Sequence, residues 1–140
     1  MTREDMTLRA ILQNTKVIAL VGWSARPDRA SHGVAAYLAR RGYRVIPVNP
    51  GHAGHVTAWG ATVRASLADI NEPVDMIDIF RNSDAVGPVV DEALAVLPGL
   101  ATVWMQLGVV NEAAAAKARA AGVAVVMDRC PLIEITRLIG

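Results

Sequence analysis

The chain has 140 residues, of which 53% are hydrophobic and 19% are charged, and its formal net charge is +1 at pH 7. This composition supplies enough apolar material for one domain spanning residues 1–140, and it excludes a disordered chain. The near-neutral charge argues against nucleic-acid binding, which needs a basic stripe facing the phosphate backbone. The single cysteine, Cys130, excludes a disulfide within the chain and indicates a reducing compartment.

The N-terminal segment 1–14 mixes charged residues with a few apolar ones. It lacks the continuous apolar run of a signal peptide. The longest uncharged apolar stretches of the chain are also too short to cross a membrane. We therefore expect a cytoplasmic protein without membrane association.

The first half of the chain alternates short apolar runs with polar, turn-forming segments. It predicts a strand at 17–21, a helix at 31–41, a strand at 44–48, a loop at 51–60, a short strand near 61–63 and a single helical turn at 66–70. Ser31 is the predicted N-cap of the long helix, and Gly42 is the residue that closes it.

The second half continues the same alternation. It predicts a strand at 76–80, a helix at 84–97, a strand at 101–105, a helix at 112–121, a strand at 123–127 and a closing helix at 132–139. Asn111 is the predicted N-cap of the alanine-rich helix, and Gly122 ends it.

Continuous apolar strands separated by helices indicate an α/β fold with a mainly parallel sheet and helices on both faces. Right-handed crossovers between such strands give a single Rossmann-like, doubly wound domain. In these sheets ligands bind beyond the carboxyl ends of the strands, at the point where the strand order reverses. The candidate site residues are therefore those that directly follow the predicted strands.

The segment after the first strand has the features of a phosphate cradle. It consists of Gly22, Trp23, Ser24, Ala25, Arg26 and Pro27. Glycine permits close backbone approach to a ligand, and the following helix presents free N–H groups and the positive end of its dipole to an anion. Ser24 and Ser31 add hydroxyl groups, and Arg26 adds a positive charge. An ordinary strand-to-helix loop with an N-cap serine remains the alternative interpretation.

This segment is not a dinucleotide fingerprint, because Ser24 replaces the second glycine of G-x-G-x-x-G and Pro27 falls near the third. Asn49 ends the second strand, where NAD-binding domains carry an acid that binds the ribose. A P-loop is excluded as well, since no G-K-[ST] follows a glycine-rich loop. An NAD-dependent dehydrogenase is therefore disfavoured.

Three further strand ends carry candidate ligand contacts. Val48, Asn49 and Pro50 form a stiff, partly apolar rim after the second strand, suited to a nucleoside face or simply to a rigid turn. Phe80 ends the predicted strand at 76–80, and Arg81 follows it. The phenylalanine can stack on a base or on an extended apolar arm, or it can belong to the core, and the arginine can meet phosphate or solvent.

The end of the predicted strand at 101–105 carries one more polar candidate. Gln106 stands directly after this buried strand. Trp104, two residues earlier, is predicted to be a core residue packed between the sheet and a helix. Gln106 completes the set of candidate site residues.

These segments together resemble the small stand-alone CoA-binding proteins, which are similar to the N-terminal CoA-binding domain of the succinyl-CoA synthetase alpha subunit. The matching pieces are V-I-A-L-V-G-W-S-A-R-P-D-R-A-S, Y-R-V-I-P-V-N-P, V-D-M-I-D-I-F-R, V-W-M-Q-L-G-V-V-N-E-A-A and V-V-M-D-R-C. They cover the chain from about Lys16 to Leu138 in the same order. The resemblance implies a Rossmann fold and coenzyme A as ligand.

Matching positions imply that the loop Gly22 to Pro27 with Ser31 holds the diphosphate. Val48-Asn49-Pro50 and Phe80-Arg81 then line the nucleotide and pantetheine path. The phosphorylated histidine and the acyl-transfer machinery of the synthetase lie outside this domain. The resemblance therefore implies binding of coenzyme A or an acyl-CoA, as a binding or regulatory module with no catalytic residue assigned.

One segment departs from the family pattern. The run 51–59 carries His52 and His55 and no lysine, although a basic residue in this region of the synthetase helps to hold the 3′-phosphate. Arg26 or a histidine is the candidate substitute. A metal site at the two histidines is disfavoured because no third ligand is evident, and zinc needs three or four.

Three other residues carry alternative chemistry. Cys130 is expected to be a small buried hydrophobe, with a reactive thiol as the alternative. Asp75 lies at the entry of the predicted strand at 76–80 and Asp78 lies in its interior, so both are away from the binding edge. Paired carboxylates can act as acid and base, but Asp78 is expected to satisfy neighbouring backbone donors.

Two classes of function remain open from the sequence. The first is a module that binds coenzyme A or acyl-CoA. The second is a small enzyme that uses NAD(P) or a nucleotide on a similar sheet. An exposed sheet edge allows a homodimer or an unidentified protein partner, and the sequence specifies neither.

Overall fold

The computed structural model describes all 140 residues and contains one five-stranded sheet. The strands are β1 (Val17–Val21), β2 (Arg44–Val48), β3 (Met76–Ile79), β4 (Thr102–Met105) and β5 (Ala124–Val126). All four neighbouring pairs are parallel, and the strand order is β2-β1-β3-β4-β5. The predicted α/β, Rossmann-like fold is confirmed, and the sheet is parallel throughout.

Five helices cover the two faces of the sheet. They are α1 (Arg3–Asn14), α2 (Ala30–Arg40), α3 (Val86–Val96), α4 (Glu112–Ala120) and α5 (Pro131–Leu138). The apolar residues of α3 and α4 pack in one core cluster, whereas those of α1, α2 and α5 pack in the other. The helices therefore lie on both faces, as expected for a doubly wound sheet.

The strands divide their side chains between these two clusters with a period of two. On β1, Ala19 and Val21 belong to the α3–α4 cluster, while Ile18 and Leu20 belong to the cluster of α1, α2 and α5. Because helices cover both faces of the sheet, the side chains on both sides of the central strands β1, β3 and β4 are buried. This burial explains the continuous apolar runs in the sequence.

The structure corrects three local predictions. Ser31 does not cap α2: the N-cap is Arg29, which makes no capping hydrogen bond through its side chain, and Ser31 lies in the first turn. The short strand expected near 61–63 is only an isolated bridge, in which Thr62 pairs with Val56. The last strand is three residues long and lies at the edge of the sheet, shorter than the expected 123–127.

The N-terminal segment forms α1, a helix that the sequence analysis did not predict. Thr2 and Asp5 form a reciprocal capping box at its start, and Leu8 and Leu12 are buried. Asp5 also bonds Arg137 of α5, whose guanidinium holds the pKa of Asp5 at about 2. The signals were present in the sequence, as a Thr–x–x–Asp start followed by apolar residues at helical spacing.

Two other predictions, the cap at Asn111 and the buried Trp104, are confirmed as made. The Asn111 side chain accepts a hydrogen bond from the Ala114 amide at 2.9 Å, as an N-cap does. Trp104 is fully buried, and its indole N–H donates to the Arg129 carbonyl at 2.7 Å. No helix is both long and apolar enough to span a bilayer.

Candidate functional site

The order of the strands places the topological switch point between β1 and β3. The chain leaves β1 at Gly22 and leaves β3 at Phe80, so these two residues face each other across the switch point. Gly22 has φ +90°, and a Cβ atom added to it would lie 2.3 Å from the Phe80 carbonyl oxygen. The close approach that this glycine permits is therefore an approach between two loops of the protein.

Two depressions open on either side of Gly22 at the carboxyl edge of the sheet. The first has a volume of about 400 Å³ and is lined by Gly22, Ser24, Arg26, Arg29, Ala30, Ser31 and Phe80. The second has a volume of about 390 Å³ and is lined by Val21, Gly22, Val48, Asn49, Pro50, Ala65, Ser66, Leu67, Arg81, Val89 and Glu92. We call the two together the switch-point cleft, and nine of the twelve predicted site residues line it.

Hydrogen bonds from its own side chains hold the β1–α2 loop in shape. The Ser31 hydroxyl accepts from the Ser24 amide at 3.0 Å, and the Ser24 hydroxyl accepts from the Arg26 amide at 3.2 Å. The imidazole of His32 bonds the Ser24 carbonyl at 3.0 Å. Ser31 is buried, so its hydroxyl positions the loop instead of lying free in the cleft.

The start of α2 offers backbone donors to the first depression. The amides of Ala30 and Ser31 have no acceptor within the chain, because they precede the first intrahelical bonds. Both residues line the depression beside Arg26 and Arg29. Free N–H groups, the positive end of a helix dipole and two guanidinium groups are the features that bind a phosphate group.

Asn49 ties the ends of β1 and β2 together. Its side-chain amide donates to the Trp23 carbonyl at 2.7 Å, and its side-chain oxygen accepts from the Gly51 amide at 2.9 Å. The Val48 carbonyl in turn accepts from the Gly22 amide at 2.9 Å. Asn49 therefore shapes the rim of the second depression in addition to lining it.

Trp23 is placed differently from the other predicted site residues. Its side chain is 1% exposed and packs with the cluster of α1, α2 and α5, and its indole N–H has no hydrogen-bond partner. Three imidazole rings, those of His32, His52 and His55, lie against it. The indole is buried in that cluster, and Trp23 lines neither depression.

The charged groups of the cleft are mostly basic. Arg26 is exposed and pairs with Asp28 at 3.1 Å, an exposed contact that contributes little to stability. Arg29 lines the same depression, and its guanidinium has no ion-pair or hydrogen-bond partner. Arg81 and Glu92 both line the second depression. Sequence reasoning missed Arg29 because it treated Ser31 as the helix start. The N-cap position of Arg29 becomes evident only from the backbone.

Phe80 is half-buried: it packs against the core cluster of α1, α2 and α5, and it also lines the first depression. Gln106 is 6% exposed, and its side-chain oxygen is buried without a partner. Pro27 is exposed and lies outside both depressions. Trp23, Pro27 and Gln106 are thus the three predicted residues that the structure does not bring to the cleft surface.

The prediction that Asp78 satisfies backbone donors is wrong, and Asp75, which directly precedes β3, holds such donors instead. Asp75 accepts from the amides of Lys16 and Val17 at 2.9 and 2.8 Å. Asp78, expected to satisfy backbone donors, is fully buried, and neither of its carboxyl oxygens has a hydrogen-bond partner. Burial therefore raises the pKa of Asp78 well above its ordinary value, because desolvation disfavours the charged form.

Cys130 is the N-cap residue of α5 and is 5% exposed within the cluster of α1, α2 and α5. This is the environment of a small buried hydrophobe. No group of three or more His, Cys, Asp or Glu residues is placed to hold a metal ion.

A larger depression, of about 740 Å³, lies at the opposite, amino edge of the sheet, between α1 and the residues that precede β3, β4 and β5. Asp75 lines it, but one of its carboxyl oxygens, Oδ2, already accepts hydrogen bonds from two backbone amides. The topology rule for open parallel sheets and the unpaired amides of α2 both favour the carboxyl edge.

The fold and the cleft define a Rossmann-like domain with a mostly basic cleft at its switch point. The chain matches the CoA binding domain family over residues 16–136. It belongs to that family, as the resemblance of its sequence motifs implied.

The chain is also similar to individual proteins. The chain is 39% identical to the protein YneT of Bacillus subtilis (strain 168) over 123 residues, which cover 88% of this chain and 87% of YneT. A solved structure from Thermus thermophilus is 40% identical, with a TM-score of 0.89 and coverage of 99% of both chains. The dinucleotide-forming acetyl-coenzyme A synthetase 1 of Ca. Korarchaeum cryptofilum, in complex with phosphate and ADP, shares the fold at 23% identity. Its TM-score is 0.64, over 79% of this chain and 25% of that one.

Proposed function

We propose that this protein binds coenzyme A or an acyl-CoA in the switch-point cleft, as a binding or regulatory module. The observation that carries the proposal is the pair of unpaired amides, Ala30 and Ser31, at the start of α2 beside Arg26 and Arg29. Membership in the CoA-binding family favours coenzyme A as the anion, and the unpaired amides beside two arginines favour the start of α2 as the binding place of its diphosphate.

The remainder of the ligand would follow the cleft across Gly22. Val48, Asn49 and Pro50 offer a rigid, partly apolar rim to the nucleoside, and the half-buried Phe80 offers an aromatic surface. Arg81 lines the second depression beside Gly22 and can bind a second phosphate group. The proposal assigns no catalytic residue.

A thermal-shift panel of coenzyme A, acetyl-CoA, NAD, NADP and ATP tests this function. A ligand present at 100 times its dissociation constant stabilises the folded state by about 2.7 kcal/mol, so a specific ligand gives a clear shift. We expect coenzyme A and acetyl-CoA to raise the melting temperature and the other three to leave it unchanged. Preferential stabilisation by NAD would support the alternative of a small NAD-dependent enzyme and contradict the proposal.

The two arginines of the first depression give a sharper test. We expect Arg26→Ala and Arg29→Ala each to weaken coenzyme A binding by about tenfold, because each removes a charged contact to phosphate worth about 1.4 kcal/mol. Isothermal titration calorimetry measures the affinity, and circular dichroism confirms that the fold is intact.

Arg40→Ala is the matched control, since Arg40 is exposed in the last turn of the same helix, away from the cleft. Its affinity should equal that of the unmodified protein. An Arg29 variant with unchanged affinity would remove Arg29 from the site, and unchanged affinity in both cleft variants would place the phosphates elsewhere.

A further inference from the structure

All three histidines of the chain gather around one buried indole. The ring centroids of His32, His52 and His55 lie 5.7, 5.9 and 5.5 Å from that of Trp23. His32 stacks on the indole, His52 meets it edge-on, and His55 is tilted. The three residues come from two separate segments, the first turn of α2 and the loop after β2, so the tertiary structure alone brings them together.

This histidine cluster is connected directly to the backbone of the switch-point cleft. The His32 imidazole bonds the Ser24 carbonyl at 3.0 Å, and the His52 amide donates to the Asn49 carbonyl at 3.1 Å. Ser24 lines the first depression and Asn49 lines the second. Trp23 itself lies between Gly22 and Ser24 in the chain. A change of charge in the cluster therefore occurs beside both halves of the cleft.

The His32 ring can gain a positive charge without losing its hydrogen bond to the β1–α2 loop. A carbonyl oxygen only accepts, so the His32 Nδ1 atom must carry the hydrogen of this bond. Protonation then takes place at Nε2 and leaves the bond to Ser24 in place. A protonated ring stacked on indole also gains a cation–π attraction.

The other charged groups on the surrounding segments already favour an anion. The β1–α2 loop carries Arg26, Asp28 and Arg29, of which the Asp28 carboxylate is paired to Arg26. Arg64 lies on the segment that pairs with the end of β2. Histidine is the side chain whose charge changes between about pH 5 and pH 8. Protonation within the cluster would therefore add positive charge to a basic edge.

We propose that the histidine cluster around Trp23 makes the ligand site pH-responsive, so that its affinity for an anionic ligand rises as the histidines become protonated. This inference rests on the proposed binding of coenzyme A in the cleft. It adds a form of regulation to that binding, in which mild acidification strengthens capture of the coenzyme and a neutral or alkaline medium favours its release.

The double variant His52→Gln/His55→Gln tests the proposal, since both histidines lie in the loop after β2, where His55 is exposed and His52 half-exposed. Calorimetry measures the dissociation constant of coenzyme A for both proteins at about pH 6 and about pH 8. The monoester of coenzyme A titrates near the lower pH, but this change is common to both proteins and cancels in their ratio.

We expect the variant to bind as tightly as the unmodified protein at about pH 8 and about 3- to 10-fold more weakly at about pH 6, where the lost charges matter. A ratio that is the same at both pH values would overturn the proposal. Absence of coenzyme A binding to the unmodified protein at both pH values would instead overturn the proposed function, so the two failures are distinct.

A second variant, His55→Lys, keeps a positive charge at both pH values. We expect it to bind coenzyme A more tightly than the unmodified protein at about pH 8 and similarly at about pH 6. Equal affinity of the two proteins at both pH values would show that charge at this position does not reach the ligand.

Discussion

Replacement of Gly22 by alanine is expected to destabilise the protein by about 3 kcal/mol or more. The backbone at Gly22 has φ +90°, a conformation that costs an L-residue about 1–2 kcal/mol. The new Cβ would also lie 2.3 Å from the Phe80 carbonyl oxygen, which is backbone and cannot rotate away. The ends of β1 and β3 would have to separate at the switch point, so ligand binding should be lost together with stability.

The control variant Gly60→Ala separates the cost of a positive φ from the cost of the contact with the Phe80 carbonyl. Gly60 has φ +85°, but a Cβ added there would meet nothing within 4 Å. Urea denaturation should therefore show a loss of about 1–2 kcal/mol for Gly60→Ala and a distinctly larger loss for Gly22→Ala. Equal losses would mean that the contact with Phe80 relaxes freely and that the switch point is not tightly closed.

Replacement of Asp78 is expected to stabilise the protein near neutral pH. Its register partners on β1 and β4 are Leu20 and Trp104, both apolar and fully buried, and its carboxyl oxygens have no partner. A buried polar group without a hydrogen bond costs about 1–3 kcal/mol. Asp78→Leu, which is close to isosteric, should remove that cost and raise the free energy of unfolding by a similar amount at about pH 7.

The same burial predicts how the gain depends on pH. The pKa of Asp78 is raised in the folded state, so unfolding releases its proton at a pH that lies between the unfolded and the folded pKa. Stability is therefore lost as the pH rises from the unfolded toward the folded pKa, at about 1.4 kcal/mol per pH unit. Asp78→Asn removes this titration while retaining a polar group.

Urea denaturation at about pH 4, pH 5.5 and pH 7 measures the effect as the difference between each variant and the unmodified protein. This difference cancels the opposite contribution of Asp5, whose lowered pKa adds stability that is lost as the pH falls. We expect the advantage of both Asp78 variants to widen as the pH rises. An advantage that stays constant with pH would show that the carboxyl is already ionised, with compensation that the buried environment does not reveal.

Asp75→Asn is the control, since Asp75 directly precedes β3. Its carboxylate accepts two backbone hydrogen bonds, from Lys16 and Val17, so the substitution should destabilise the protein by about 1 kcal/mol. Opposite signs at Asp75 and Asp78 would confirm that hydrogen bonding, and not the residue type, decides the effect.

The assignment of roles to these aspartates illustrates the limit of sequence reasoning in this protein. Both residues belong to one short run, and their spacing alone does not tell which of them meets backbone donors. Sequence reasoning placed Asp78 correctly inside a strand but gave it the partners that Asp75 holds. The missing information was the position of the preceding segment, Lys16 and Val17, which is adjacent to Asp75 only after β1 and β3 pair.

The sequence by itself determined the alternation of strands and helices, the parallel doubly wound sheet, the cap at Asn111 and the family motifs along the chain. These features depend on periodicity and on contacts between residues a few positions apart, which a linear sequence records directly.

Only the tertiary structure decided that β1 and β3 are neighbours, that Gly22 meets the Phe80 carbonyl, that Arg29 joins the cleft and that three histidines surround Trp23. Each of these features depends on strand order, on local backbone geometry or on contacts between distant segments. They are set by the free energy of packing the whole sheet and its helices, which no local pattern encodes.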